Sequence, residues 1–154
     1  MVPRIYTDTS VIGGCFDSEF SHSSRRLLRA FISGSALMVI SDLTTIELTE
    51  APARVQAILR RVPESCRENI ELTKEAVKLA GRYIEAGVLA EGERVDAQHI
   101  ALATIARVDA LVSWNFKHIV NLQRIRGYNS VNLRYGYPIL EIRTPAEVIS
   151  YETE

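Results

Sequence analysis

Four acidic or amide side chains stand where predicted strands end or predicted helices begin, and their types are suited to metal chemistry. Asp8 follows the strand-like segment 4–7, Glu47 lies in a short helical segment, Asp96 opens a longer helix, and Asn115 follows a late apolar run. Carboxylates that converge from separate elements repel each other unless they share a cation. Because hard divalent cations take oxygen ligands, the set predicts a Mg²⁺ or Mn²⁺ site with Asp8, Glu47 and Asp96 as ligands.

Each of these residues also has a simpler interpretation. Asp8 precedes Thr-Ser, which is good turn chemistry, and Asn115 also suits a turn. Glu47 fits a solvent-facing helix position, and Asp96 fits the first turn of a helix, where a carboxylate complements the macrodipole. The metal hypothesis rests on the ordered set, which follows the predicted strand–helix units.

Two ring side chains lie beside the set. His99 is three residues after Asp96, so both point to roughly one helix face. We expect His99 to support the site or lie at the surface, with contact to phosphate or proton transfer as the alternative. Trp114, the single tryptophan, suits core packing, with stacking on a base as the alternative.

The pattern of apolar residues predicts the elements that must position these side chains. Apolar runs of strand length at 36–40, 110–113 and 139–142, with a weaker strand at 69–72, alternate with helical patterns at 24–33, 76–84 and 96–107. Residues 117–135 are helical in pattern, with an interruption at Gly127. Alternation of this kind predicts a parallel α/β sheet with helices on both faces. Ligands bind such sheets at the carboxyl ends of strands, where Asp8 and Asn115 lie.

Length and composition predict one domain spanning residues 1–154. Hydrophobic residues make up 47% and charged residues 24% of the chain, and the net charge is −1. No run approaches the ~20 apolar residues of a membrane span. The two cysteines form no Cys-X-X-Cys pair, so we expect a cytoplasmic protein.

Other chemistries are excluded by missing motifs. The sequence has no glycine-rich phosphate loop ending in Gly-Lys-Ser or Gly-Lys-Thr, no dinucleotide fingerprint and no Gly-X-Ser-X-Gly elbow. Its three histidines show no zinc-ligand spacing. Cations are instead concentrated between residues 116 and 143 and include Lys117, Arg124 and Arg126. A basic segment of this kind favours binding of a polyanion.

With these motifs in order, the chain resembles the PIN-domain family, particularly the small VapC-like toxins of prokaryotic toxin–antitoxin pairs. The family has a strand ending in Asp, a helical Glu, an Asp opening a helix, and a late strand followed by a polar segment. The matching segments are 5–10, 46–48, 96–103 and 111–119. The resemblance implies a single PIN-like domain with a parallel sheet of four to five strands and helices on both faces.

The resemblance also implies an activity, the hydrolysis of RNA phosphodiester bonds by a Mg²⁺- or Mn²⁺-dependent ribonuclease. Asp8, Glu47 and Asp96 would hold the metal, Asn115 would act as a neutral ligand or positioning donor, and further residues would contact RNA: Ser113, Lys117, Arg124 and Arg126. A small antitoxin protein and a homodimer are the partners that the family implies.

One departure from the family keeps two alternatives open. The last motif of the family commonly offers Asp, whereas Ser113 and Asn115 stand there in this chain. An amide oxygen ligates a hard cation but brings no negative charge. The first alternative is therefore a catalytically weak or inactive PIN-like protein that binds RNA or a partner. The second is an unrelated α/β domain that binds a small molecule and has no metal response.

Overall fold

Five parallel strands with helices on both faces form the frame of the protein. The computed structural model describes residues 1–149. The strands are β1 Arg4–Thr7, β2 Leu37–Ser41, β3 Arg67–Ile70, β4 Ala110–Val112 and β5 Ile142–Arg143. The α-helices are α1 Thr9–Gly13, α2 Ser21–Ser33, α3 Asp42–Thr49, α4 Ala53–Arg61, α5 Lys74–Glu85, α6 Arg94–Ile105, α7 Leu122–Arg134 and α8 Pro145–Ile149. The α/β class and the parallel sheet predicted from the sequence are confirmed.

Alternating side chains of the strands build two hydrophobic cores, one on each face of the sheet. Tyr6, Val39 and Leu111 belong to the first core, which includes residues of α5, α6 and α7. Their neighbours Ile5 and Met38 belong to the second, which includes residues of α2 and α4. Burial of both faces explains why the central strands are continuous apolar runs in the sequence.

The order of the strands places the candidate residues at one edge of the sheet. The order is β3-β2-β1-β4-β5, so the chain leaves β1 in one direction to build β2 and β3 and later returns to its other side with β4. Thr7 is paired with Val112, and the Asp8 amide donates to the Val112 carbonyl at 3.1 Å. Asp8 and Ser113 therefore emerge side by side where the strand order switches, the usual ligand position in open parallel sheets.

Two predictions about the C-terminal third are corrected by the structure. The final strand is Ile142–Arg143 rather than 139–142, because Ile139 is solvent-exposed and only Ile142 and Arg143 pair with β4. Helix α7 runs without interruption through Gly127. A Cβ at Gly127 would lie 2.8 Å from Val88 Cγ1, so this glycine permits close packing instead of ending the helix.

Among residues 1–149, no helix is long and apolar enough to cross a membrane.

Candidate metal centre

Asp8 is held by two hydroxyl groups at the carboxyl end of β1. Its Oδ2 accepts hydrogen bonds from Ser10 Oγ at 2.7 Å and Ser113 Oγ at 2.8 Å. The residue is only 6% exposed. Because both donors bind Oδ2, the carboxylate has a fixed orientation, and Oδ1 lies 4.0 Å from His99 Nε2.

Glu47 reaches the same place from helix α3. Ser41 begins this helix with a capping box, in which its hydroxyl accepts from the Leu43 amide while Thr44 accepts from the Ser41 amide. Glu47 Oε1 accepts from Thr9 Oγ1 at 2.9 Å and is 2.7 Å from His99 Nε2. The capped helix and these two contacts set the position of a carboxylate that is only half-buried.

His99 is fully buried and connects this carboxylate to the sheet. Its Nδ1 is 2.7 Å from the Tyr6 hydroxyl, which is itself 2.7 Å from Ser41 Oγ. An ionised carboxylate only accepts hydrogen bonds, so Nε2 carries a proton when it binds ionised Glu47. His99 thus acts as a donor to Glu47 in this arrangement, and it becomes a metal ligand only by losing that proton.

The spacing of ligand atoms fits a single cation. One ligand atom each from Asp8, Glu47 and His99 lies within 4.8 Å of the other two. Ligands of Mg²⁺ sit about 2.0–2.1 Å from the ion and are therefore no further apart than about 4.2 Å, so small side-chain movements would bring the three atoms around one ion. The acidic donors match Mg²⁺ and Mn²⁺, and an imidazole would add preference for a transition metal.

Asp96 lies beside this group and contributes charge to it. It stands in the first turn of α6, which begins two residues earlier than the sequence pattern predicts, at Arg94. It is outside the 4.8 Å group found within residues 1–149, but it interacts electrostatically with both Asp8 and Glu47. Its carboxylate accepts no hydrogen bond from the part of the chain that the structure describes. A half-buried carboxylate in this setting is suited to a cation.

Burial and neighbouring groups shift the pKa values of Asp96 and Glu47 in opposite directions. Burial, followed by the charge of Asp8, raises the pKa of Asp96 despite the opposing charges of His118 and His99. Burial also opposes ionisation of Glu47, but the hydrogen bond and charge of His99, with the Thr9 hydroxyl, hold the pKa of Glu47 below its usual range. Glu47 is therefore compensated by His99 and Thr9, whereas Asp96 lies near Asp8 and Glu47 with less compensation.

The loop after β4 does not bring the Asn115 side chain into the group of ligand atoms. Asn115 Oδ1 accepts from the His118 amide at 3.0 Å, and its own carbonyl accepts from the amides of Ile119 and Val120. This is the geometry of a turn-forming amide. Ser113, predicted to contact substrate, is fully buried and joins Asp8 to the Asn115 amide, so its position favours orientation of Asp8.

The predicted phosphate-binding cations differ in how free they are. Lys117 and Arg126 are exposed, whereas Arg124 is half-buried and donates from Nη1 to the Val88 carbonyl. His118 Nδ1 lies 3.5 Å from Glu93 Oε1, and the charges of His118, Arg124 and Lys117 all act on Glu93. Lys117 and Arg124 are therefore near Glu93, directly before the start of α6.

Several residues that complete the site were not among the candidates predicted from the sequence. Thr9, Ser10 and Tyr6 contact the catalytic candidates, and Glu93 pairs with His118. A Thr-Ser pair directly after a strand-ending Asp is a usable signal for the first two. The contact between Tyr6 and His99 spans 93 residues and has no local signal.

Comparison with known proteins gives a structural match without a sequence match. No protein-family profile matches the chain, and no curated protein is significantly similar to it. A chain in the crystal structure of VapBC2 from Rickettsia felis bound to a DNA fragment from their promoter has a similar fold. The TM-score is 0.57 at 17% identity, and the alignment covers 92% of this chain and 98% of the other. At this identity the likeness establishes the fold, and it confirms the PIN-like fold class.

Proposed function

We propose that the protein is a metal-dependent endoribonuclease and the toxin of a toxin–antitoxin pair. The observation that carries the proposal is the group of ligand atoms from Asp8, Glu47 and His99 within 4.8 Å at the carboxyl edge of the sheet, with Asp96 alongside. The fold shared with a VapBC2 chain supports the toxin assignment.

The chain's own residues divide the work of hydrolysis. Asp8, Glu47 and Asp96 would hold Mg²⁺ or Mn²⁺, which supplies a water of lowered pKa and neutralises charge on the phosphate. Glu47 is the most exposed carboxylate of the group of ligand atoms, with a side chain 37% exposed, and is suited to ligate the metal or to orient the attacking water. Ser10 and Ser113 keep Asp8 oriented, and His99 orients Glu47.

RNA would approach the group from the side of the basic loop and helix. Lys117 and Arg126 are exposed and able to contact phosphates, and Arg124 would need to release the Val88 carbonyl or contact a phosphate while keeping it. The predicted substrate role of Ser113 is the least supported, because the side chain is buried against Asp8.

Replacement of single carboxylates tests the proposal. Asp8→Asn and Glu47→Gln should each reduce Mn²⁺-dependent cleavage of RNA by at least about 100-fold, because a correctly held metal ion contributes several kcal/mol to stabilisation of the transition state. Glu50→Gln is the matched control, since Glu50 is an exposed residue just beyond the end of the same helix α3. Unchanged cleavage by Asp8→Asn would rule out the proposed site.

A catalytically weak PIN-like protein is the second candidate, and the position of Asn115 favours it. The Asn115 side chain brings no charge, and its oxygen is engaged by the His118 amide. This candidate predicts that the wild type binds Mn²⁺ without cleaving RNA and that Asn115→Asp restores cleavage. A small-molecule-binding α/β domain predicts instead that Mn²⁺ gives no thermal stabilisation.

The proposed function also includes partners and location. We propose a small antitoxin that covers the acidic site, a homodimer as the active assembly, and the cytoplasm as the compartment. Co-expression with the product of the neighbouring reading frame, followed by size-exclusion chromatography with light scattering, tests both the antitoxin and the dimer.

A further inference from the structure

Trp114 directly follows Ser113, which holds Asp8, and its ring belongs to a cluster with Phe20 and Phe116. Phe20 and Trp114 are stacked, with ring centroids 4.3 Å apart and an interplanar angle of 18°. The Phe116 ring lies 6.2 Å from Phe20 and 6.3 Å from Trp114 and is 50% exposed. Phe116 packs at a tilt against both rings of the stacked pair, at 45° to Phe20 and 52° to Trp114, and half of its surface remains exposed to solvent.

The cluster is fixed both to the core and to the metal centre. Trp114 Nε1 donates to Ser24 Oγ at 2.9 Å, and Gly14 leaves room for the indole, since a Cβ there would lie 2.8 Å from Nε1. The Trp114 amide donates to Ser10 Oγ at 3.0 Å, and Ser10 donates to Asp8 at 2.7 Å. Two hydrogen bonds therefore connect the cluster to the Asp8 carboxylate.

We propose that Phe116 is a stacking site for one unpaired RNA base next to the phosphate at the metal centre. The proposal rests on the proposed ribonuclease function and adds a requirement for a base that is free of a duplex. Aromatic faces bind bases of any sequence by stacking. The exposed cation Lys117 follows Phe116 directly, which gives the pairing of ring and positive charge that a nucleotide needs. Trp114, packed between Phe20 and Ser24, serves as support.

Fluorescence anisotropy with a labelled ten-nucleotide single-stranded RNA tests the site. The titrations are run in chelator, and a gel confirms that the RNA is intact. Phe116→Leu keeps apolar volume but removes the stacking face, and we expect its Kd to rise about 5–100-fold. Tyr135→Leu is the control, because Tyr135 is 43% exposed but lies at the far end of the 13-residue helix α7, about 20 Å from its start.

A second RNA makes the test independent of any effect on folding. A series of RNAs, each with one abasic position at a different place in the strand, is titrated against the wild type. At one position the missing base should raise the wild-type Kd by the same factor as Phe116→Leu does with the intact RNA. Phe116→Leu should then lose nothing further with that abasic RNA. A Phe116→Leu Kd within twofold of wild type, or a wild type indifferent to every abasic position, would overturn the stacking site alone. Failure of the wild type to bind any single-stranded RNA would overturn the ribonuclease function with it.

Discussion

Removal of one buried oxygen, by Tyr6→Phe, should weaken both the fold and the metal centre. The Tyr6 side chain is fully buried, and its hydroxyl lies 2.7 Å from both His99 Nδ1 and Ser41 Oγ. Phenylalanine keeps the ring and its packing. Ser41 Oγ still accepts from the Leu43 amide, so the main loss falls on His99 Nδ1, which has no other hydrogen-bond partner among residues 1–149.

The expected loss follows from the cost of leaving one buried polar group without a partner. That cost is about 1–3 kcal/mol in the free energy of unfolding. A domain of this length loses about 2–4 °C in Tm per kcal/mol, so we expect a decrease of about 2–12 °C. Tyr6 orients His99, which in turn holds the proposed metal ligand Glu47 at 2.7 Å. Loss of a residue that orients a metal ligand typically lowers metal affinity 10–100-fold, so we expect the Mn²⁺ Kd to rise about tenfold.

Tyr83→Phe is the matched control. Tyr83 is also fully buried, and its hydroxyl donates to Asn132, away from the acidic residues. Urea unfolding in chelator should show a comparable stability loss for both variants, whereas Mn²⁺ titration followed by electron paramagnetic resonance should show weaker binding only for Tyr6→Phe. Equal Mn²⁺ affinity in wild type and Tyr6→Phe would refute the role assigned to the hydrogen bonds through His99.

Three further predictions concern charge, packing and pH. Asp96→Asn should raise the Tm in chelator, by no more than about 2 °C because solvent screens a half-buried charge; burial and the Asp8 charge raise the pKa of Asp96, so its ionised form destabilises the fold at neutral pH, and differential scanning calorimetry measures this. Gly14→Ala should cost about 1–3 kcal/mol in urea unfolding, because its Cβ would lie 2.7 Å from Ser24 Oγ, whereas Gly13→Ala, with nothing within 4 Å, should cost nothing. In chelator, the pKa of His99 is raised, with burial opposing the contributions of Glu47 and Asp8, and the pKa of Glu47 is lowered. The ion pair should stabilise the fold most between about pH 4.3 and 6.5, which are the pKa values of Glu and His in the unfolded chain. Its contribution should fall at lower pH, where Glu47 gains a proton, and at higher pH, where His99 loses one. Urea unfolding of wild type and Glu47→Gln at pH 5.5 and pH 9 tests this.

The sequence was most informative where local chemistry and fold geometry agree. Segment 4–7 contains the β-branched residues Ile5 and Thr7 and the aromatic Tyr6, and it is followed by Asp8, a residue suited to a turn. Both β1 and the position of Asp8 could therefore be predicted. The helix that carries Glu47 begins after Ser41, and a serine directly before a helical segment is a recognisable start signal. The switch in strand order then brings Asp8 and the end of β4 together, as expected for a parallel sheet.

What could not be predicted depends on contacts between distant residues. The contact between His99 and Glu47 spans 52 residues, so nothing local showed that the imidazole would be buried and bonded to a carboxylate. Gly127 lies inside α7, where Val88, from another part of the chain, occupies the space that a Cβ would need. The extent of β5 is set by only two residues that pair with β4, and the apolar Ile139 before them is exposed.

The most direct test of the metal centre is anomalous diffraction from a crystal soaked in Mn²⁺. We expect one peak at the carboxyl ends of β1 and β4, about 2–2.5 Å from carboxylate oxygens of Asp8 and Glu47, with Asp96 bound directly or through water. The same soak of an Asp8→Asn crystal should show a weaker peak or none. A Mn²⁺ peak elsewhere, or no peak beside Asp8 in the wild type, would contradict the assignment of a metal-dependent site to these carboxylates.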